Sequence, residues 1–551
     1  MRTGAVEVVV VDWDGPAAEL SGRLAQLLSR GVDVVLLPSP ATAAAAAALG
    51  HPGDRPGRLV HWSGRGDAAD WARHRLVGEG APEGALVVVD GADGLDAVLH
   101  AQADDLTPVP DPSWRLEVDG SNPQREREVE SWLTVGNGRT GTRGSLEEDG
   151  PHSSPATYVA GVYGQDPDGQ AGPELVRGPR WTELQVPGGD DASRARTLDL
   201  RHGVLFRQSP GFRSARFASL ADRRLLVLHA EGATMAGDVP LPTPTGAVEA
   251  VEAEVTGRGA QVRIQGRDGG EVWFALSTEE EDGRITRVVA VERDGPAHEA
   301  LARSLESGRG TLLARHRQAW RERWVGADVV VDGDPLAQRD LRFALYHLII
   351  AGDPESDRAS VGARSLSGPG YRGHVFWDTE VFVLPFFIWT HPETARALLA
   401  YRHRTLPAAR AKAARLGYQG ALYAWESADT GEETTPEYVH LPDGTRLTIL
   451  TGVEEHHIAA DVAWAVWQYW QVTGDDRFVE DMGAEIVVET ARFWASRTTV
   501  AGDGRHHICE VIGPDEYHET VDDNAYTNVL ARWNLRAAVQ LCDRFPAAAA
   551  R

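Results

Sequence analysis

The sequence predicts a multidomain protein with four parts: a small α/β unit, an antiparallel β-sandwich, a helical linker and a domain of paired helices. Three observations lead to this prediction. The 551 residues exceed what a single hydrophobic core usually organises, so two to four domains are expected. The pattern of apolar residues changes along the chain, from continuous runs to alternation with polar residues and then to helical periodicity. A proline- and aspartate-rich stretch at 105–113 is typical of a linker between domains.

Residues 1–105 contain short β-branched runs at 6–11, 32–37 and 85–90. Such continuous apolar runs are typical of parallel strands that are buried on both faces. Alanine- and leucine-rich segments between the runs predict crossover helices. An α/β unit therefore follows.

Residues 114–290 contain short alternating segments, such as RLLVLHAEG and EVWFALSTE, between Gly, Pro and Asp turns. This alternation predicts an antiparallel β-sandwich. The following segment, 296–330, has helical character and predicts a linker between two domains.

From 335 to 551 the pattern is helical with long loops. Pro392 is suited to a helix start, and Gly417 and Gly474 to helix ends. The predicted helices span 336–352, 379–390, 393–416, 454–473, 476–501 and 523–545.

Composition argues against several classes of partner. The chain has 55 basic and 81 acidic residues, a net charge of −26, which repels nucleic acid and anionic membranes. Cys509 and Cys542 are the only cysteines and have no zinc-site spacing. The sequence shows no signal-peptide pattern and no apolar stretch long enough to span a bilayer. We therefore expect a cytoplasmic protein.

The loop GPDEYHE at 513–519 concentrates carboxylates beside Tyr517 and His518. Crowded like charges raise pKa values, which suits a general acid that must hold a proton at neutral pH. The alternative is a solvated acidic loop that caps the next helix, the usual role of a charge run.

Two further clusters pair an aromatic ring with a carboxylate. Trp377 precedes Asp378 at a loop-to-helix junction, and Trp425 precedes Glu426 in a later loop. An indole face stacks on the apolar face of a sugar ring, and a carboxylate accepts its hydroxyl hydrogens. Burial in the core is the alternative for Trp377.

His457 and Asp461 are four residues apart and share a helix face. A hydrogen bond between them and a metal site are both open, although no HExxH motif is present and we expect no metal. All four clusters lie at loops between successive helices. In a barrel of paired helices such loops form one cleft, whose residue types favour a neutral polyol over a nucleotide.

Five motifs together resemble glycoside hydrolase family 65: YRGHVFWDTE, YAWES, EEHHIAADVAWAVWQYW, ETARFWASR and VIGPDEYHETVDDNAYTN. The segment 130–148 resembles the opening of that family's N-terminal sandwich, and the resemblance covers 114–551.

The resemblance implies an (α/α)6 barrel and inverting cleavage of an α-glucosidic disaccharide of the trehalose or maltose type. Glu516 corresponds to the general acid of the family. Trp377 and Asp378 correspond to residues that hold the glucose ring, and we assign substrate binding also to Trp425, Glu426, His457, Tyr517 and His518. In phosphorylases, inorganic phosphate is the co-substrate and β-glucose 1-phosphate the product. In hydrolases, a second carboxylate activates water. No cofactor is expected, and the resemblance suggests a homodimer.

The six predicted helices are half of what such a barrel needs. Motifs for the phosphate pocket or the hydrolase base have no counterpart here. We therefore expect a truncated first half of the barrel over 335–551 that is inactive by itself, with exposed apolar surface. The disaccharide, and the choice between phosphorolysis and hydrolysis, stay open.

The N-terminal unit resembles haloacid dehalogenase-type phosphatases through Asp12, Asp14 and Ser39. The resemblance implies an aspartyl nucleophile at Asp12. Residues 1–110 contain no lysine, which that family uses to hold the phosphoryl group, so we expect a degenerate domain. Magnesium is expected only if this unit is active. A sugar-phosphate phosphatase acting through Asp12 and a non-catalytic sugar-binding protein are the alternative functions.

Overall fold

The structure is a computed structural model. It describes most of residues 106–549, with short gaps at 109–110, 121, 149, 151, 166–171, 188–194, 236–240, 243–246, 257–258 and 268–269. Of the first 105 residues it describes 8–12, 20, 23–24, 27, 32–37, 40–48, 59–61 and 86–90.

The N-terminal segments form a four-stranded parallel sheet. Its strands are β1 (Val8–Asp12), β2 (Asp33–Leu36), β3 (Leu59–His61) and β4 (Leu86–Asp90), in the order β3-β2-β1-β4. The parallel pairing agrees with the continuous apolar runs, since Val9, Val10 and Val11 are at most 1% exposed. A helix, Pro40–Ala48, follows β2.

Asp12 is the last residue of the inner strand β1. Asp14 and Ser39 lie outside the described residues. The phosphatase-like interpretation therefore stays a prediction.

Two antiparallel sheets form the next domain. The larger sheet has nine strands in the order β14-β15-β16-β17-β13-β12-β11-β10-β5, and the smaller has the order β6-β7-β8-β9. Alternating side chains from both sheets share one core, in which Val159 and Val162 of the smaller sheet pack with Phe274 of the larger. The strands are β5 (Arg115–Asp119), β6 (Val135–Gly136), β7 (Thr140–Thr142), β8 (Thr157–Gly164), β9 (Glu174–Arg177), β10 (Ala195–Asp199), β11 (Val204–Ser209), β12 (Phe212–Ala218), β13 (Leu225–Glu231), β14 (Val248–Thr256), β15 (Gly259–Gly266), β16 (Glu271–Glu281) and β17 (Arg284–Glu292). A short helix, Glu126–Trp132, lies between β5 and β6.

Two helices, His298–Ser307 and Arg309–Val325, connect the sheets to the helical domain. Trp320 of the second helix is fully buried and stacks on Tyr346, with ring centroids 5.2 Å apart. Tyr346 in turn donates a hydrogen bond to the Thr134 carbonyl at 3.0 Å. The linker and the first helix of the helical domain are thus packed together onto the β-domain.

The helical domain has a continuous core beneath its loops. Val462 and Val466 of one helix pack there against Ile486 and Val487 of the next. The helices span Pro335–Ile349, Leu384–Thr390, Pro392–Arg404, Leu406–Arg415, Thr451–Glu454, Ile458–Thr473, Asp476–Phe478, Ala484–Arg497, Ala525–Arg544 and Pro546–Ala549. Two small hairpins, Tyr438–His440 with Arg446–Thr448 and Thr499–Val500 with His506–His507, lie in its loops.

Two predicted helices are wrong in their continuity. The segment 454–473 is not one helix, because a short helix ends at Glu454 and the next begins only at Ile458. The segment 393–416 forms two helices that meet at Thr405 rather than one. Pro407 has no backbone N–H to continue the first helix, and it fits the first turn of the second. Among the described residues, no helix has the length and apolar character needed to cross a membrane.

Candidate active site

The loop before Trp377 has an unusual backbone that brings this ring to the surface of the helical core. Tyr371, Arg372 and Gly373 all have positive φ, at 53°, 54° and 82°. A Cβ at Gly373 would overlap the Leu175 side chain of β9, so glycine is required for this close approach. After the turn, Val375 exchanges backbone hydrogen bonds with Ser427, at 2.8 and 3.0 Å.

That pairing joins the loop of Trp377 to the loop of Trp425. The two indoles stack with centroids 6.4 Å apart and an interplanar angle of 29°. His457 lies edge-on to both rings, at 4.7 Å from Trp377 and 5.4 Å from Trp425, and Tyr526 is 5.9 Å from Trp377. Three of the predicted clusters therefore meet at one place, joined by Tyr526 from the segment that follows the loop of Glu516.

Exposure differs within this cluster. Trp377 is half-buried and Asp378 is exposed, so both have surface available for a ligand. Trp425 is only 4% exposed and packs into the helical core, so it supports Trp377 from beneath.

A hydrogen-bonded chain runs behind the tryptophans. Tyr526 donates to Asp461 Oδ1 at 2.8 Å, and Asp461 Oδ2 is 2.6 Å from His457 Nδ1. The other ring nitrogen, Nε2, is 3.3 Å from Glu455 Oε1. Of the two sequence interpretations of His457 and Asp461, the hydrogen bond is the one observed. Among the described residues, no group of three or more His, Cys, Asp or Glu is arranged to hold a metal ion.

Burial and pairing shift the ionisation of this chain. Burial lowers the pKa of His457, but hydrogen bonds to Asp461 and Glu455 outweigh it and raise this pKa to about 9. Burial raises the pKa of Glu455 to about 7 despite the opposing effect of His457. Burial also raises the pKa of Asp461. At neutral pH the imidazole is therefore a cation held between two carboxyl groups.

A buried ion pair supports the same loop from below. Arg402 Nε and one terminal nitrogen each lie 2.7 Å from an oxygen of Glu380, and both side chains are at most 1% exposed. Arg402 also donates to the Phe376 carbonyl at 3.0 Å. The guanidinium therefore holds the backbone directly before Trp377.

Glu433 organises the second loop. Its carboxylate accepts the backbone N–H of Trp425 at 2.9 Å and of Glu426 at 3.2 Å, and it pairs with Lys412 at 2.5 Å. Glu426 Oε1 is 2.6 Å from His374 Nδ1. His374 Nε2 also faces the Pro173 carbonyl of the β-domain.

Hydrogen bonds join the loop of Glu516 to Glu454, shortly before the central helix, Ile458–Thr473. The Ile512 N–H donates to the Glu454 carbonyl at 3.1 Å, and the Thr520 N–H donates to the Glu454 carboxylate at 3.0 Å. Thr520 has a positive φ of 52°, and a Cβ at Gly513 would overlap the Asn524 side chain. These features fix both ends of the loop and leave its tip outside.

Glu516 itself is exposed, as are all residues of its loop from 514 to 520. Burial and the nearby charge of Asp378 nevertheless raise the pKa of Glu516, while His457 lowers it. The carboxyl therefore lies within electrostatic reach of the aromatic cluster.

Tyr517 and His518 do not join the cluster. Tyr517 is 96% exposed, and His518 is paired on the surface with Asp515 at 2.9 Å. Both were predicted to bind substrate.

Sequence reasoning missed Glu380, Arg402 and His374 as parts of the site. Glu380 and His374 both lie within the motif YRGHVFWDTE. Ionisable side chains so close to Trp377 in sequence were the signal that could have identified them.

A helical linker joins the β-sandwich to a helical domain, and tryptophans and carboxylates are grouped at the loops of the helical domain. This combination defines a class of carbohydrate-processing enzymes. Residues 116–294 match the model of the glycosyl hydrolase family 65 N-terminal domain, and 342–551 match that of the family 65 central catalytic domain. The chain belongs to glycosyl hydrolase family 65.

Several curated relatives are kojibiose phosphorylases. The protein from Halothermothrix orenii is 52% identical over 233 residues, which cover 42% of this chain and 30% of that protein. The one from Escherichia coli is 35% identical over 487 residues, covering 75% of this chain and 64% of that protein. A kojibiose hydrolase from Flavobacterium johnsoniae is 46% identical over 231 residues, covering 42% and 32%.

A solved structure named as a kojibiose phosphorylase, from the human microbiome, has the same fold. It is 21% identical, with a TM-score of 0.67, and the match covers 78% of this chain and 64% of that one. The chain thus spans between 30% and 64% of the length of these relatives.

Proposed function

We propose that the protein cleaves an α-linked glucose disaccharide by inverting phosphorolysis, with Glu516 as the general acid. Glu516 gives its proton to the glycosidic oxygen as the bond to the anomeric carbon breaks. Inorganic phosphate attacks that carbon from the opposite face, and the products are β-glucose 1-phosphate and the freed sugar. One observation carries this proposal: the segment that bears Glu516 also supplies Tyr526 to the aromatic cluster, with ring centroids 5.9 Å from Trp377, and the charge of Asp378 raises the pKa of Glu516.

The residues of the cluster divide the remaining tasks. The half-buried ring of Trp377 supplies a surface for the apolar face of glucose, and the exposed Asp378 accepts its hydroxyl hydrogens. Trp425 and Glu426 support that surface from beneath. His457 contributes a buried positive charge behind the ring. Substrate binding by Tyr517 and His518 stays a prediction, since neither side chain contacts the aromatic cluster in the described hydrogen bonds and ring contacts.

We propose kojibiose, whose two glucose units are joined by an α-1,2 bond, as the first substrate to test. The relatives named for kojibiose support this choice over trehalose or maltose, which the sequence had suggested. No cofactor is required for acid-assisted attack by phosphate. A homodimer remains a prediction.

The decisive assay incubates kojibiose with the protein expressed from its complete coding sequence. It is carried out in the presence and in the absence of inorganic phosphate. We expect β-glucose 1-phosphate only when phosphate is present, and slower reaction with trehalose and maltose. Absence of any sugar phosphate from all three disaccharides would contradict phosphorolysis. Phosphate-independent release of glucose would instead favour hydrolysis, the activity for which the Flavobacterium johnsoniae relative is named.

Replacement of the acid tests the residue assignment. We expect Glu516→Gln to lower turnover at least about a hundredfold, because the amide has no proton to transfer, while the unfolding temperature stays unchanged. Glu519→Gln is the matched control, since it removes an exposed carboxylate from the same loop. Near-normal turnover in Glu516→Gln would remove Glu516 from the mechanism.

A further inference from the structure

The loop that bears Glu516 is attached at both ends to a single residue, Glu454. At one end, the Ile512 N–H donates to the Glu454 carbonyl at 3.1 Å. At the other end, the Glu454 carboxylate accepts hydrogen bonds from the Thr520 N–H at 3.0 Å and from the Thr520 hydroxyl at 2.9 Å. Glu516 lies midway in sequence between Ile512 and Thr520, so its position depends on both attachments.

The local structure explains why Glu454 can make these contacts. It is the last residue of the short helix Thr451–Glu454. A carbonyl at the end of a helix has no partner within the helix, so that of Glu454 is available to Ile512. The three residues that follow Glu454 are at most 3% exposed; they are Glu455, His456 and His457. Glu454 therefore stands at the surface of a segment that is otherwise fixed in the interior.

The same segment also contacts the aromatic cluster. His457, shortly after Glu454, lies edge-on to Trp377 with ring centroids 4.7 Å apart. Residues 454–457 therefore join the loop of Glu516 to the ring to which we assign glucose. Proton transfer to a bound sugar requires a fixed geometry between these two groups.

The backbone at Thr520 shows that its attachment matters. Thr520 has a positive φ of 52°, a conformation that is unfavourable for a β-branched residue and persists only where its surroundings enforce it. Val511 and Val521 exchange backbone hydrogen bonds at 3.0 and 2.9 Å and close the base of the loop. Thr520 lies beyond this closure, and the Glu454 carboxylate engages both its N–H and its hydroxyl.

We propose that Glu454 is a positioning residue for the general acid: its hydrogen bonds to Ile512 and Thr520 fix the loop of Glu516 relative to Trp377. This inference rests on the proposed role of Glu516. Glu454 does not touch the substrate and transfers no proton. Its role needs a hydrogen-bond acceptor at this place rather than a negative charge.

The first test compares two substitutions of Glu454 in disaccharide phosphorolysis. Glu454→Ala removes the acceptor, and we expect kcat to fall about tenfold while KM stays within about twofold, because the loop moves and the Trp377 surface does not. Glu454→Gln keeps an oxygen that accepts from Thr520, so its kcat is expected within about threefold of wild type. Glu519→Gln is the matched control, since it removes an exposed carboxylate next to Thr520, and its kcat is expected to match wild type.

A substrate whose leaving group needs no proton separates loss of acid positioning from general damage to the site. In α-glucosyl fluoride the bond from the anomeric carbon to fluorine breaks as phosphate attacks, and fluoride leaves as an anion without the proton of Glu516. We expect Glu454→Ala to release β-glucose 1-phosphate from this substrate within about twofold of the wild-type rate. An equal loss on fluoride and disaccharide would overturn the inference.

Thr520→Val is the second variant, which decides if Glu454→Ala does not fold. It keeps the β-branched shape and removes the hydroxyl, so we expect kcat to fall about threefold at unchanged KM. Unchanged kcat in the variant that folds, or equal losses in Glu454→Ala and Glu454→Gln, would overturn the inference and leave the proposed function intact. Normal turnover of disaccharide by Glu516→Gln would instead overturn the proposed function, so the two failures are distinguishable.

Discussion

The environment of His457 differs strongly from that of a free side chain. It is fully buried, and each ring nitrogen faces a buried carboxyl, on Asp461 and on Glu455. A buried cation is tolerated only when such partners offset its lost hydration. The folded state therefore binds a proton at this imidazole that the unfolded chain releases at lower pH.

This difference makes stability depend on pH. The pKa of His457 is about 9 when folded against 6.5 ordinarily, so its contribution is complete below pH 6.5 and is lost as pH rises through 9. We expect the free energy of unfolding to fall by about 1–3 kcal/mol between pH 6.5 and 9. Urea denaturation at several pH values measures this fall.

His457→Asn is the comparison for that measurement. The amide does not titrate, so its fall over the same pH interval is expected to be smaller. The pKa of Glu455 is about 7 in the folded protein against 4.5 ordinarily. Its contribution to stability is therefore lost as pH rises from 4.5 to 7, mostly below the pH interval of this measurement. Identical falls in wild type and variant would show that His457 is not the titrating group.

Trp377 supplies the second prediction at this scale. We expect Trp377→Ala to raise KM or the dissociation constant for glucose at least about tenfold, because the stacking surface is lost. The pH profile is expected to stay unchanged, since the ring carries no proton in the reaction. Trp389→Ala is a control of equal size, as that ring is 74% exposed on another helix. A displaced pH profile would imply that Trp377 acts through Glu516 rather than on the sugar.

Local spacing predicted some of these contacts and not others. His457 and Asp461 lie one helical turn apart, so their hydrogen bond follows from the sequence. Arg402 and Glu380 are 22 residues apart on different helices, and His374 meets Pro173 across 201 residues. Such pairs depend on how helices and domains pack, which no local period encodes.

At the scale of elements, helix existence was easier to predict than helix continuity. Apolar periodicity gave the central helix Ile458–Thr473, and Gly474 at φ 67° ends it as predicted. The break at Thr405 was missed, although Pro407 was the signal for it. Parallel strands were predicted from apolar runs alone because both of their faces are buried.

The turn at Gly373 positions the Trp377 loop, and a substitution in this turn tests that role. We expect Gly373→Ala to destabilise the protein by about 2–4 kcal/mol and to lower turnover, because a methyl group would overlap Leu175 and displace the Trp377 loop. Thermal or urea unfolding and the phosphorolysis assay measure the two effects.

Gly417→Ala is the matched control for that turn. Its φ of 84° is nearly the same as the 82° of Gly373, but nothing lies within 4 Å of an added Cβ. Backbone strain alone is expected to cost about 1 kcal/mol there, without loss of turnover. Equal losses at both glycines would mean that strain, rather than the contact with β9, sets the effect.

At the scale of the whole molecule, the β-domain supports the Trp377 loop of the helical domain. Tyr163 of β8 donates a hydrogen bond to the Gly373 carbonyl at 2.6 Å, and the Pro173 carbonyl lies against His374. Leu175 of β9 fills the space beside Gly373. Three contacts from the sandwich therefore surround Gly373 and His374, which lie shortly before Trp377.

This arrangement predicts that a change inside the β-domain alters catalysis. We expect Tyr163→Phe to cost about 1 kcal/mol of stability, because it removes one buried hydrogen bond, and to lower kcat/KM several-fold as the Trp377 loop loses its anchor. Tyr158→Phe is the matched control: that tyrosine is buried in the same strand, and its hydroxyl makes none of the described hydrogen bonds. Its kcat/KM is expected to match wild type. If Tyr163→Phe loses stability with unchanged kcat/KM, the sandwich is a passive support, and the geometry around Trp377 is set within the helical domain alone.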